Sequence, residues 1–322
     1  MPGEKIRVAL LLGGKSAERE VSLKTGAQVL AHLDQGRFAA VEYDPATELA
    51  RLVQDAQDGR LDVAFLALHG PLGEDGSIQG LMELLGLPYT GSGLLASALA
   101  MDKAVAKKIF REAGLPVAPG LDVTPEEAPA DIARKAHQTL GFPLVVKPVS
   151  QGSSVGLAIV RNEGELAAAL TAVFELGGQA LLEKYLPGRE FTCAVVGADL
   201  TALPAAEIIP DAARPFFDYA AKYEPGQCQE ICPAQAPPEI TAEIQRLAAD
   251  AHRALGCRSL SRSDFILSEG QLYLLETNTL PGLTVSSLVP KMAQAFGLNF
   301  TALLSYLLDD ALKEGVNLKD YL

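Results

Sequence analysis

Positive charge is scarce in this sequence: 27 Lys and Arg stand against 40 Asp and Glu, for a formal net charge of -13. That balance excludes broad electrostatic binding to a nucleic-acid backbone or an anionic membrane. It also makes each cation informative, because an acidic chain that handles phosphates must gather its positive charges locally. Cysteine is sparse too. Cys193, Cys228, Cys232 and Cys257 lack the paired spacing of a zinc site or a disulfide scaffold and are read as inert thiols. Long apolar runs are missing, and the run from Val8 to Leu12 is too short for a membrane span or a secretion signal, so a cytoplasmic protein is expected. No internal repeat and no low-complexity tract interrupts the chain. Absence of G-x-G-x-x-G argues against a Rossmann-type dehydrogenase, and G-x-x-x-x-G-K-[ST] is absent as well.

What is present is ordinary for a soluble globular protein: 48% apolar residues, 29 Gly and 20 Pro in 322 residues, enough for two or three domains. Ile6–Leu12 reads as a buried strand ending at Gly13-Gly14, with Leu23, Ala27, Leu30 and Ala31 following at helical spacing. A second strand, Asp62–Leu68, ends at His69-Gly70. Strand, Gly-rich turn, helix and strand open a doubly wound α/β layer, whose ligand crevice lies at the carboxyl ends of its strands. From Met101 the pattern changes. A helix spans Ala104–Ala113, Pro119, Pro125 and Pro129 mark loops, and strands are expected at Phe142–Pro148, Leu157–Val160, Ala180–Tyr185 and Phe191–Val196. Glu239–Leu255 reads as a helix, and Leu288–Glu314 as helices broken at Gly297. Boundaries fall near residues 101 and 187.

The strongest chemical signal lies between Arg262 and Asn278. Two strand-like runs flank Gly270, so a hairpin is expected. With Glu269-Gly270-Gln271 as a three-residue loop, Ile266 faces Leu274 and Asp264 faces Glu276, with Asn278 on the same face as Glu276. Two opposed carboxylates at about 5 Å repel by roughly 3 kcal/mol at an effective dielectric near 20. A divalent cation would turn that cost into binding, and two carboxylates plus an amide oxygen suit Mg²⁺ at a nucleotide site. On an exposed face the same pair would simply be solvated; Leu272 and Leu274, expected on the face of Glu276, weigh against that.

Other segments gain weight in this company. Lys147 ends an apolar strand before Ser150-Gln151-Gly152-Ser153-Ser154-Val155-Gly156, a Gly/Ser flap able to fold over phosphates, though by itself also an ordinary hairpin loop. Glu183, Lys184, Leu186 and Glu190 follow at the expected domain junction, where a strand edge could meet a purine and a carboxylate a ribose. Phe216–Tyr223, with Asp218 and Lys222, lies in a long aromatic loop that suits a lid excluding water. His69 opens a Gly-punctuated loop at the crevice position and is given a substrate-side role, while His32, His137 and His252 are read as surface or packing residues.

Taken in order along nearly the whole chain, these segments resemble the ATP-grasp superfamily and, within it, the D-alanine–D-alanine ligase family. The resemblance rests on Leu12–Ser22, Ala67–Gly70 with Gly73–Gly76, Met101–Lys103, Lys147-Pro148, Gly152–Gly156, Glu183-Lys184, Asp218-Tyr219 with Lys222-Tyr223, Arg262–Asp264 and Glu276–Thr284. It implies a three-domain ATP-grasp fold: an N-terminal doubly wound α/β domain over 1–101, a central subdomain over 102–187 and a C-terminal subdomain over 188–322. It further implies ATP-dependent ligation of two D-alanines through D-alanyl phosphate for peptidoglycan precursors. By resemblance, Lys103, Lys147, Ser154 and Lys222 go to phosphates and Glu183, Lys184, Leu186 and Glu190 to adenosine. Asp264, Glu276 and Asn278 go to two Mg²⁺ ions, with Mn²⁺ a substitute. Glu18 would anchor the first D-alanine in a link with Ser153 and Tyr223. Arg262 and Gly282 would stabilise the oxyanion, and Ser287, Leu288 and Gly282 would receive the second substrate's carboxylate. A homodimer is implied too, with no nucleic-acid or membrane partner. Tyr223 matches the dipeptide-forming members. A ligase using D-lactate or D-serine, and a non-catalytic ATP-binding module, stay open as alternatives.

Overall fold

The computed structural model describes residues 4–152, 156–176, 178–210, 228–313 and 316–322. Among these, the strands form three sheets that succeed one another along the chain. In the first, β1 (Ile6–Leu11), α1 (Arg19–His32), β2 (Phe38–Tyr43), α2 (Leu49–Gln57) and β3 (Val63–Leu66) give a parallel order β2-β1-β3. The inner strands β1, past Arg7, and β3 are apolar because both faces are covered, whereas edge strand β2 carries Glu42 and is partly exposed. Val8, Leu10 and Phe65 pack with Val29 of α1, whereas Ala9, Leu11 and Leu66 pack with Leu52 of α2. Two more helices, α3 (Ser77–Leu85) and α4 (Leu94–Met101), lead to α5 (Lys103–Glu112), whose first turn is capped by Asp102 accepting from the Val105 N–H at 2.9 Å.

The second sheet is antiparallel. Its elements are β4 (Gly120–Val123), α6 (Pro129–Thr139), β5 (Leu144–Pro148), β6 (Ala158–Val160), α7 (Glu163–Glu175) and β7 (Ala180–Lys184), with strand order β4-β7-β5-β6. Pro129, expected to mark a loop, instead begins α6: proline fits a first helical turn, where its missing N–H has no partner to lose. Ile132, Leu166 and Leu170 from the helices close over Leu144, Val146 and Leu182.

The third sheet contains β8 (Arg189–Val196), β9 (Thr201–Ala202), β10 (Ala206–Pro210) and β11 (Cys228–Ile231), then, after α8 (Pro238–Leu255), β12 (Leu260–Ser268) and β13 (Gln271–Asn278). Its order is β11-β10-β8-β12-β13, with β9 on β8. Helix α8 buries Ile244, Leu247, Ala248, Ala251 and Leu255, the 3.6-residue stripe expected of it, against Phe191, Val195 and Phe265. The chain closes with α9 (Leu288–Phe296) and α10 (Phe300–Leu312), separated at Gly297 as expected. Leu303 and Leu307 of α10 reach back to the core of the first sheet, so one cluster joins the two ends of the chain. No helix of the described residues is long and apolar enough to cross a membrane.

The hairpin differs from expectation in an instructive way. Its loop is two residues, not three: Ser268 pairs with Gln271, and Glu269 (φ 50°) and Gly270 (φ 81°) both take the left-handed conformation of a type I′ turn. That slip would carry Asp264 past Glu276, but a β-bulge between Asp264 and Phe265 restores the register, so Asp264 does oppose Glu276. The bulge also reverses the faces. Leu274 pairs with Phe265 in the core, and Glu276 lies on the opposite side from Leu272 and Leu274, contrary to expectation. Glu276 instead looks into a cleft, with 31% of its side chain exposed.

Candidate active site

One cleft is lined from all three sheets: Glu18 and His69 from the first layer, Lys103 and Gly152 from the central segment, and Arg262, Glu276, Asn278 and Gly282 from the hairpin and its exit. Glu18 sits at the start of α1, in the turn that leaves β1. Two glycines approach its carboxylate so closely that a Cβ would lie 2.6 Å (Gly70) or 2.7 Å (Gly152) from Oε2. The flap base and the loop after β3 thus converge on one acid. His69 is buried beside it, with Nε2 3.0 Å from Thr25 Oγ1 and Nδ1 3.5 Å from Glu74 Oε1. These partners fix the ring while leaving it in the cleft wall.

Lys103 ties the central segment to the hairpin. Its Nζ donates to the Gln151 carbonyl at 2.7 Å and lies 3.4 Å from Glu276 Oε2. Behind it Lys147 Nζ is 2.5 Å from Glu183 Oε2, while Lys107 Nζ pairs with Glu183 Oε1. Burial alone would push the Glu183 carboxyl up, yet Lys107 and Lys147 outweigh it and hold the group at about 2. Burial likewise opposes the Lys147 ammonium, and Glu183 and Glu276 reverse the sign, leaving it raised. Both Glu183 oxygens are therefore paired with buried lysines, Oε1 with Lys107 and Oε2 with Lys147. Lys184 is exposed at the end of β7, Leu186 is half-buried beyond it, and Glu190 is half-buried on β8.

On the hairpin Arg262 lies flat on Asp264, Nε to Oδ1 at 3.0 Å and Nη2 to Oδ2 at 2.9 Å, and Thr192 Oγ1 donates to the same Oδ1 at 2.6 Å. Asn278 Oδ1 accepts from the Leu280 N–H at 2.9 Å. Each carboxylate of the Asp264–Glu276 pair is thus met by a cation, Arg262 or Lys103. An all-oxygen donor set, two of whose members, Glu276 and Asn278, line the cleft, and which already draws positive charge, fits a hard divalent cation. Past Gly282, Ser287 Oγ accepts from the Thr284 N–H at 3.1 Å at the N-terminus of α9, whose first residue is the buried Leu288. Ser153, Ser154, Asp218, Lys222 and Tyr223 lie outside the described residues.

Two contributors escaped sequence reasoning. Thr192, on β8, sits fully buried behind Asp264 with nothing in its local sequence to mark it. Lys107 did leave a signal, since it falls between Ala104 and Phe110 on the apolar stripe of α5, where a lysine is out of place.

Comparison with known proteins agrees with this layout. Residues 42–92 match the family model described as D-ala D-ala ligase N-terminus, and 109–309 that described as D-ala D-ala ligase C-terminus. The chain is 51% identical over 315 residues to a D-alanine–D-alanine ligase from Syntrophobacter fumaroxidans, covering 98% of this chain and 100% of that one. It is 46% identical to one from Desulfotalea psychrophila, over 97% and 96% of the two chains. Among solved structures, the D-alanine–D-alanine ligase of Bacillus anthracis complexed with ATP superposes with TM-score 0.83 at 34% identity, covering 95% of this chain and 97% of that one. The VanG D-Ala:D-Ser ligase of Enterococcus faecalis superposes with TM-score 0.84 at 30% identity, covering 96% and 100%.

Proposed function

The chain belongs to the D-alanine–D-alanine ligase family, and from that premise we propose that its three-sheet cleft joins two D-alanines at the expense of ATP. The observation that carries this is the convergence of Glu18, Lys103, Arg262, Glu276 and Gly282 on one cleft. The first D-alanine's carboxylate oxygen attacks the γ-phosphorus and ADP leaves, giving D-alanyl phosphate. The second D-alanine's amine then attacks the acyl carbon, loses a proton, and phosphate departs with cleavage of the acyl C–O bond.

Each residue has a role matched to its place. Glu18 holds the first substrate's ammonium, with Ser153, Tyr223 and His69 around it. Lys103, Lys147, Ser154 and Lys222 meet the phosphates. The strand end at Glu183, Lys184 and Leu186 receives the adenine, and Glu190 is the carboxylate for the ribose. Asp264, Glu276 and Asn278 would hold two Mg²⁺ ions, or Mn²⁺, supplying charge to offset that of the phosphates. Arg262 and the Gly282 N–H face the developing oxyanion; the bidentate hold of Asp264 fixes the guanidinium plane. Ser287, Leu288 and the Gly282 backbone receive the second carboxylate at a helix N-terminus. The product serves peptidoglycan precursor synthesis in the cytoplasm. Domain divisions near 101 and 187 accord with the change of sheet, and a second copy would find exposed apolar side chains at Leu84 and Leu95, 88% and 67% exposed on α3 and α4.

Phosphate release and dipeptide formation should be measured with ATP, Mg²⁺ and D-alanine, in parallel with L-alanine, D-lactate plus D-alanine, and D-serine plus D-alanine. Dipeptide from D-alanine alone, with none from L-alanine, is the expected result. Turnover only in a mixed reaction would reassign the second substrate, and ATP binding without turnover in any mixture would overturn the ligase reading.

A further inference from the structure

Lys107 is 1% exposed, yet it is the middle member of the buried stripe Ala104, Lys107 and Phe110 on α5. Its ammonium pairs with Glu183 Oε1 from β7 and lies 3.4 Å from the Leu274 carbonyl of β13, while Lys147 of β5 takes Glu183 Oε2 at 2.5 Å. One carboxylate therefore serves two lysines, and the cluster carries a net charge of +1. Lys103 and Glu276 beside it form a balanced pair. A buried ion pair of Lys147 and Glu183 would be neutral without Lys107, and an apolar residue would fit the stripe at a lower desolvation cost. The extra charge thus needs a reason other than stability.

We propose that Lys107 is a positioning residue for the nucleotide phosphates, sharing Glu183 with Lys147 so that the cluster keeps a surplus positive charge at the phosphate side of the cleft. The inference rests on the assignment of Lys147 to the phosphates. Lys107 also bridges, beneath the cleft, the central sheet through Glu183 and the hairpin strand through the Leu274 carbonyl, and so fixes the surplus relative to both. Burial lowers the Lys107 ammonium to about 8, with Glu183 raising it, Lys147 lowering it and Glu276 raising it. The surplus is thus present at neutral pH and disappears as pH rises through that value.

The test is a calorimetric titration of ATP and of adenosine, both with Mg²⁺ and without D-alanine, into the wild type, Lys107→Met and Lys107→Met/Glu183→Gln. Lys107→Met should weaken ATP by about tenfold or more while leaving adenosine within about twofold. The double variant, whose cluster returns to +1, should recover most of the ATP-to-adenosine affinity ratio. Wild-type ATP affinity should fall between about pH 7.5 and 9.5 as the lysine loses its proton. Unchanged ATP affinity in Lys107→Met, no recovery in the double variant, or a flat wild-type profile over that range would each overturn the proposal. A wild type that binds adenosine but shows no preference for ATP would instead remove the phosphate assignment on which it rests.

Discussion

Arg262 is the residue on which the proposed second step turns. It is held flat by Asp264, which is itself fixed by Thr192, so the guanidinium has one orientation at the cleft wall. Removing a preorganised donor of this kind typically costs about 10²–10³ in rate. Arg262→Ala should lower kcat by at least that factor while ATP affinity stays within about threefold. Turnover near the wild-type rate would remove Arg262 from the oxyanion site. His252 makes a separate prediction about stability. Burial pushes its imidazole down from the usual 6.5 to about 4, and its Nδ1 lies 2.7 Å from Ser261 Oγ in the core under β12. The folded state therefore holds His252 neutral where the unfolded chain would protonate it. Its contribution is complete above about pH 6.5 and is lost as pH falls toward 4, by up to about 3 kcal/mol at 1.36 kcal/mol per unit. Thermal melts between pH 4 and 7 should show that dependence in the wild type and a shallower one in His252→Leu; parallel profiles would contradict it.

At the scale of elements, α5 carries both Lys103 of the cleft and the buried Lys107, so its placement sets two cations at once. Its start is fixed by Asp102 capping the Val105 N–H and by the Lys103 N–H donating to the Val149 carbonyl at 3.0 Å. Asp102→Ala should cost about 1 kcal/mol of stability and raise the KM for ATP with little change in kcat. An unchanged KM alongside the lost stability would separate the cap from the site. Elements also show what the sequence could reveal. The doubly wound opening was legible because its strands are short, unbroken and apolar, and the helix from Pro238 because its stripe keeps one period for 18 residues. The hairpin was legible as a hairpin, and its key pairing of Asp264 with Glu276 was found, but through a loop one residue too long that a bulge happened to offset. Bulges leave no local composition signal, so the face of Leu272 and Leu274 was misread. The double ion pair of Glu183 was not legible for a related reason: its two lysines come from elements about 76 and 36 residues away in the chain, and only the packed sheet and helix bring them together.

For the whole molecule, the return of α10 to the first sheet matters as much as any sheet. Leu303 and Leu307 pack with Val8, Leu10 and Phe65, so the layer bearing Glu18 and His69 shares a core with the segment following Gly282. The two substrate positions are thereby held on a common frame. The proposed homodimer should appear by light scattering, and if the exposed Leu84 and Leu95 contact the second copy, Leu84→Glu with Leu95→Glu should shift it to monomer without loss of fold. A monomeric wild type would contradict that assembly.

The most direct test of the acyl-phosphate chemistry follows one oxygen atom. D-alanine labelled with ¹⁸O in its carboxylate should be supplied with unlabelled ATP and Mg²⁺, and the released phosphate examined by mass spectrometry. One ¹⁸O per phosphate is predicted, because the attacking carboxylate oxygen stays on phosphorus when the amine displaces it. Phosphate free of ¹⁸O, formed together with dipeptide, would contradict activation of the first D-alanine at the γ-phosphate.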